Sequence, residues 1–175
     1  ANPLKIDAMR RLGAEVRLIP AKPYSDPGNY VHFSRRLAEE MGAVHANQFD
    51  NLANRAAHEA TTGPEIWAQT DGRIDAFTSA CGTGGTLAGV ARALKSRSQA
   101  PRIVLADPMG SALYSWIKAG TLKAEGNSIT EGIGQAARVP GNLEPDRALI
   151  DDAVQVTDEE ALEQVFDLQI HEGIS

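Results

Sequence analysis

Apolar residues recur along this chain in two rhythms, and each rhythm predicts an element. Leu4, Ala8 and Leu12 fall on one face of a helix that opens near Pro3, where a first turn tolerates proline, and closes at Gly13. Residues 14–19 alternate with period two, as a half-buried strand does. A loop rich in Pro, Gly and Asp covers residues 24–29. Beyond it, Tyr30, Phe33, Leu37 and Met41 share a face of a second helix, opened by Pro27 and ended by Gly42. Residues 43–46 read as a short strand running into Asn47-Gln48. From Asn51 the helical rhythm resumes through His58, breaks at Thr62-Gly63-Pro64 and restarts, with Pro64 again in a first turn.

The second part alternates more strictly. After a turn at Asp71-Gly72, residues 75–80 predict a short buried strand, residues 82–86 a Gly/Thr loop, and residues 87–95 a helix. Residues 102–107 form a near-continuous apolar run, the kind found in parallel strands covered on both faces. A short helix over residues 111–118 is closed by Gly120, and residues 126–146 are largely irregular. Residues 153–156 predict a strand. Thr157 and Glu160 supply a capping box for a last helix whose face carries Leu162, Val165, Phe166 and Ile170. Strands alternating with helices predict the α/β class, with mostly parallel twisted sheets and helices on both faces. Ligands of such sheets bind beyond the carboxyl ends of the strands, where the loop at residues 82–86 falls.

Composition narrows the partners. A formal net charge of −6 and the absence of any Lys/Arg run argue against nucleic acid. One cysteine excludes a disulfide framework within the chain and points to a reducing, cytoplasmic setting. No apolar run approaches the roughly 18 residues of a spanning helix, so no membrane partner is expected. The chain lacks an initiating Met and stops just after a helix-ending glycine, which predicts truncation.

The loop Gly82-Thr83-Gly84-Gly85-Thr86 carries the chemistry. Glycines let backbone N–H groups turn toward a ligand, the following helix adds uncompensated donors, and two threonine hydroxyls add more. That is a phosphate site. It is not a nucleotide P-loop, which needs Lys-Ser/Thr where this chain has Thr86-Leu87. Nor is it a dinucleotide fingerprint, since Leu87 replaces the third glycine. Five consecutive small residues with two hydroxyls exceed what a tight strand-to-helix turn requires. The four histidines, His32, His45, His58 and His171, are scattered without metal-ligand spacing, so no metal site is expected. Cys81 reads as a small buried thiol at a strand end. Asn47 and Gln48 place polar amides where a cleft would open.

Four motifs in order, Gln48-Phe49-Asp50-Asn51, Thr61–Trp67, Gly82–Thr86 and Glu131–Gly134, resemble the cysteine synthase (O-acetylserine sulfhydrylase) family, which also contains cystathionine β-synthase. The resemblance implies a fold-type II pyridoxal-phosphate enzyme, tryptophan synthase β-like. It gives residues 1–49 to a smaller, mobile domain and residues 50–175 to a larger, cofactor-binding one. By the same resemblance, Gly82, Thr83, Gly84, Gly85 and Thr86 hold the phosphate of pyridoxal 5′-phosphate. Gln48 meets the substrate carboxylate and Gly132 lines the cleft. The implied reaction is β-replacement through an aminoacrylate, making L-cysteine from O-acetylserine, or another activated serine, and sulfide in a homodimer. Homocysteine as nucleophile is the alternative. A different reading is a non-catalytic half-length protein that binds phosphate or a partner. None of Lys5, Lys22, Lys95, Lys118 or Lys123 has the motif context of the family's Schiff-base lysine, so no catalytic residue is assigned. The chain therefore resembles the middle of such an enzyme, cut before both catalytic ends.

Overall fold

By its internal contacts the computed structural model, which describes residues 2–174, divides into two units, Ala1–Asn47 and Gln48–Ser175. The first unit holds α1 (Pro3–Arg11) and α2 (Tyr30–Met41). Asn2 caps α1 by accepting from the Leu4 N–H at 2.9 Å. The second helix opens three residues later than Pro27. Asp26 accepts from the Gly28 N–H at 2.7 Å, closing a turn, and Asn29 then caps α2 by accepting from Val31 N–H at 2.9 Å. Residues 14–19 and 43–46, expected as strands, join no sheet among the described residues. Their alternation suits an extended chain, but a ladder needs a neighbour to pair with.

The second unit runs α3 (Ala53–Ala60), α4 (Thr62–Gln69), β1 (Ala76–Ala80), α5 (Gly85–Lys95), β2 (Arg102–Pro108) and α6 (Leu113–Ala119). A 3-10 helix (Glu144–Leu149), β3 (Asp152–Val156), α7 (Asp158–Asp167) and a π-helical turn (Leu168–Glu172) complete it. The three strands pair in the order β1-β2-β3, all parallel, with Ser79, Leu105 and Ala153 in one row. On that face Ile103, Leu105, Asp107 and Ala153 are buried, whereas Ala76, Thr78 and Ala80 on the other face of β1 are exposed.

Helix α5 explains where the core sits. Leu87, Val90, Ala91 and Leu94 are fully buried and join Ile103, Leu105 and Leu113 in one apolar cluster. Its small residues let α3 come close: a Cβ on Gly89 would stand 2.4 Å from the Arg55 carbonyl oxygen. The break between α3 and α4 falls at Thr61, just before the Thr62-Gly63-Pro64 stretch expected to make it, and Pro64 stands in the first turn of α4. The capping box of α7 forms as expected, with Thr157 accepting from Glu160 N–H and the Glu160 carboxylate receiving the Thr157 N–H. Its apolar face is another matter. Leu162, Val165 and Phe166 stay exposed among the described residues, as does Ile170, which the sequence puts on the same face but which falls in the π-helical turn after α7.

Candidate functional site

The turn from β1 into α5 is held open by a strap from residues 131–135. The Gly134 N–H donates to the Cys81 carbonyl at 2.8 Å, and Gln135 Nε2 donates to the Gly82 carbonyl at 2.9 Å. The strap lies so close that a Cβ on Gly82 would stand 2.3 Å from the Gly132 carbonyl oxygen. Gly84 then takes the left-handed conformation, φ 83°, and serves as the N-cap of α5. No side chain caps this helix. The N–H groups of Gly85, Thr86 and Leu87 therefore head an 11-residue helix without intrahelical acceptors, at the positive end of its dipole.

The two threonines of the loop are each engaged by α3. Asn54 Nδ2 donates to Thr83 Oγ1 at 2.9 Å. His58 Nε2 lies 3.2 Å from Thr86 Oγ1, and His58 Nδ1 lies 2.9 Å from Thr62 Oγ1. Both hydroxyls are thus oriented, and the backbone between them is glycine. A phosphate dianion fits this donor set. Each charge-assisted hydrogen bond contributes about 1.5–3 kcal/mol, so several together would suffice to anchor such a group without a lysine.

Gln48 is fixed through its backbone. Its carbonyl oxygen accepts from Asn54 Nδ2 at 3.0 Å and from Asn142 Nδ2 at 2.9 Å, while the residue itself is exposed. Asn142 is fully buried. Its Nδ2 also donates to Phe49 O at 2.8 Å, and its Oδ1 accepts from Arg55 N–H at 3.3 Å. Asp50 Oδ1 accepts from Arg138 Nη2 at 2.8 Å and from the Gly141 N–H at 3.1 Å. The motif beginning at Gln48 is therefore tied down by residues that follow the strap. Underneath, Asp146 accepts from Arg55 Nη1 at 2.6 Å and Arg92 Nη1 at 3.0 Å, and Arg92 Nε also meets Glu59 at 2.7 Å.

Two titratable groups stand just behind the loop. Burial pushes the Cys81 thiol up from 9.0 to about 12, helped by the nearby Asp107 charge and opposed by a hydrogen bond from the Gly84 N–H. Burial also raises the Asp107 carboxyl, which the Tyr114 N–H, donating to Oδ2 at 2.7 Å, opposes only in part. Asp107 Oδ1 is buried without a hydrogen-bond partner. A cavity of about 270 Å³ opens beyond the end of β2, lined among others by Met109, Ser111, Asn127, Ser128 and Ile133.

Of the residues singled out in the sequence, Gly82–Thr86 and Gly132 meet directly, and Gln48 reaches Thr83 through the single amide of Asn54. Asn54, Asn142 and the Asp146 ion network carry no sequence signal of their own. Their types are common, and only the fold brings them to the loop.

The whole chain, residues 1–175, matches the family model described as pyridoxal-phosphate dependent enzyme. It is 50% identical to cysteine synthase 1 of Emericella nidulans over 97% of this chain and 47% of that protein. It is 51% identical to cysteine synthase 1 of Neurospora crassa over 97% of this chain and 46% of that protein. Among solved structures, that of an O-ureido-L-serine synthase superposes with a TM-score of 0.82 at 33% identity, covering 99% of this chain and 52% of that one. The chain spans about half the length of these relatives.

Proposed function

The chain belongs to the family of pyridoxal-phosphate-dependent enzymes, and on that footing we propose that it forms the phosphate-holding part of a cysteine synthase. The observation that supports this best is the head of α5. It is uncapped, lies beyond the carboxyl end of β1, and is flanked by two threonine hydroxyls that α3 orients. Gly82, Thr83, Gly84, Gly85 and Thr86 bind the cofactor's 5′-phosphate with N–H and O–H donors. Gln48 orients the carboxylate of the amino-acid substrate, and Gly132 lines the cleft above the loop. When bound, the cofactor supplies an electron sink for β-replacement on the amino acid. The residues of this chain bind and orient, and the group that bonds the cofactor covalently is not among them.

The substrates of this reading are O-acetylserine and sulfide, in a homodimeric, cytosolic protein whose residues 1–49 move as part of a smaller domain. No helix among the described residues is long and apolar enough to cross a membrane, and the single thiol is buried and free. Similarity to two cysteine synthases at about half identity supports sulfide over homocysteine as nucleophile.

Two experiments test the reading. Titrating the chain into pyridoxal 5′-phosphate while following its phosphorus NMR resonance should give a saturable shift, lost when both threonines become valine. An unmoved resonance overturns the phosphate assignment. Supplying the full-length translation product with O-acetylserine and either sulfide or homocysteine should yield cysteine from sulfide. Thioether from homocysteine alone would reassign the nucleophile, and no product with cofactor bound would favour the non-catalytic reading.

A further inference from the structure

We infer that Asn54 is the positioning residue that couples the substrate side of the site to the cofactor side and turns the Thr83 hydroxyl toward the phosphate. The inference rests on the reading of Gly82–Thr86 as the phosphate loop.

The hydrogen-bond chemistry leaves one arrangement. An atom of the Asn54 amide lies 3.0 Å from Gln48 O and 2.9 Å from Thr83 Oγ1. A backbone carbonyl can only accept, so that atom is the nitrogen, and its two hydrogens go one to each oxygen. Thr83 Oγ1 accepts from Asn54, which leaves its own O–H to be donated elsewhere. The next acceptor available to a hydroxyl in this loop is the anion that the loop binds. Asn54 thus makes Thr83 a donor and Gln48 a fixed point through one planar group.

A second observation is steric. A Cβ on Gly85 would stand 2.1 Å from Asn54 Oδ1 and 2.5 Å from its Cγ. The amide occupies the space beside the first residue of α5, so the helix head and the amide specify each other. Gln48 O is also filled by Asn142 Nδ2 at 2.9 Å, which uses its second lone pair. The Gln48 segment therefore cannot shift without disturbing the amide that orients Thr83.

The test uses pyridoxine 5′-phosphate and pyridoxine, which lack the aldehyde and form no adducts with surface lysines. Dissociation constants are measured by calorimetry for the wild-type chain, Asn54→Ala, Asn54→Asp, Thr83→Val and the Asn54→Ala/Thr83→Val pair. The expected result is a loss of about tenfold in affinity for the phosphate ester in Asn54→Ala, with pyridoxine unchanged. The loss should be absent when Thr83 is already valine, because the amide acts through that hydroxyl. Asn54→Asp keeps the shape and loses the donor, so it should lose the phosphate ester even if the alanine variant folds poorly. Wild-type affinity in both Asn54 variants, equal loss of both ligands, or additive losses in the pair would overturn the inference while leaving the phosphate loop in place. If the wild-type chain binds the ester no tighter than pyridoxine, the phosphate reading falls, and the inference with it.

Discussion

The Gly132 carbonyl oxygen occupies the place that a side chain on Gly82 would need, 2.3 Å from where its Cβ would lie. Gly82→Ala must therefore push the strap away, straining the hydrogen bonds from Gly134 N–H to Cys81 O and from Gln135 to Gly82 O. Overpacking of this kind costs about 1–3 kcal/mol. Gly132 has the opposite character: its φ is 86°, but a Cβ there would meet nothing within 4 Å. Gly132→Ala should cost only the left-handed strain, about 1–2 kcal/mol. Phosphate-ester affinity separates the two, falling in Gly82→Ala and holding in Gly132→Ala, since only the first moves the loop.

Asp146 is 5% exposed and meets two guanidinium groups, those of Arg55 and Arg92. Arg55, itself only 13% exposed, meets no other carboxylate among the described residues. Removing the shared acceptor in Asp146→Ala leaves that charge buried and uncompensated, which costs about 3–5 kcal/mol. Arg92→Ala should cost about 1 kcal/mol, because Arg92 is more exposed and Asp146 keeps Arg55. Urea denaturation of the two variants checks the order. Equal losses would mean that the network is not organised around Asp146.

How much of this was legible beforehand depended on how local each signal is. Residues 102–107 announce β2 because a parallel strand buried in a core is one apolar run, and the Gly/Thr loop announces itself because five small residues stand together. The capping box of α7 needs only two residues three positions apart, so it too is local. Residues 14–19 carry an equally clear alternation, yet they form no ladder among the described residues, because pairing is set by a neighbour and not by the pattern. Pro27 predicts the start of α2, but the Asn29 side chain decides it. The site's supports were the least legible. Asn54 lies 29 positions from Thr83 and Asn142 lies 94 from Gln48, and a lone asparagine gives no hint of so distant a partner.

Cys81 should be unreactive while the chain is folded. Its thiol is completely buried and its pKa is raised from 9.0 to about 12. At pH 8 that shift alone reduces the thiolate by roughly a thousandfold. Iodoacetamide should label the chain only in denaturant, as intact mass would report. The linkage has a definite sign. The neutral thiol is favoured in the folded state, so its contribution is fully present below pH 9.0 and is lost as pH rises through about 12. Rapid labelling of the native chain at pH 8 would show that the loop opens often enough to expose it.

Asp107 predicts a second pH dependence, with the same sign and at lower pH. Its carboxyl is buried, one oxygen receives the Tyr114 N–H, and the other has no partner. Burial therefore raises its pKa above 3.8. A raised folded value means that the folded state holds the proton more tightly than the unfolded chain does. Stability from this group is fully present below pH 3.8 and is lost as pH rises through the folded value. Other carboxylates pull the opposite way: the Lys118 hydrogen bond holds Asp152 low, and the Thr157 N–H holds Glu160 low. The comparison must therefore be a difference between variants. Asp107→Asn keeps an acceptor for the Tyr114 N–H and carries no charge. It should match the wild type near pH 3.8 and become progressively more stable than it toward pH 8, measured as urea midpoints across the range. Cys81 offers an independent readout, because the Asp107 charge contributes to its raised pKa. The Cys81 thiolate, followed by its ultraviolet absorbance as the pH is raised, should form at lower pH in Asp107→Asn if that charge is present in the wild type. Parallel stability profiles would mean that the carboxyl titrates alike in the folded and unfolded chain, whereas diverging profiles with an unchanged Cys81 titration would mean that Asp107 stays neutral in the folded state and that its unpartnered oxygen carries the proton.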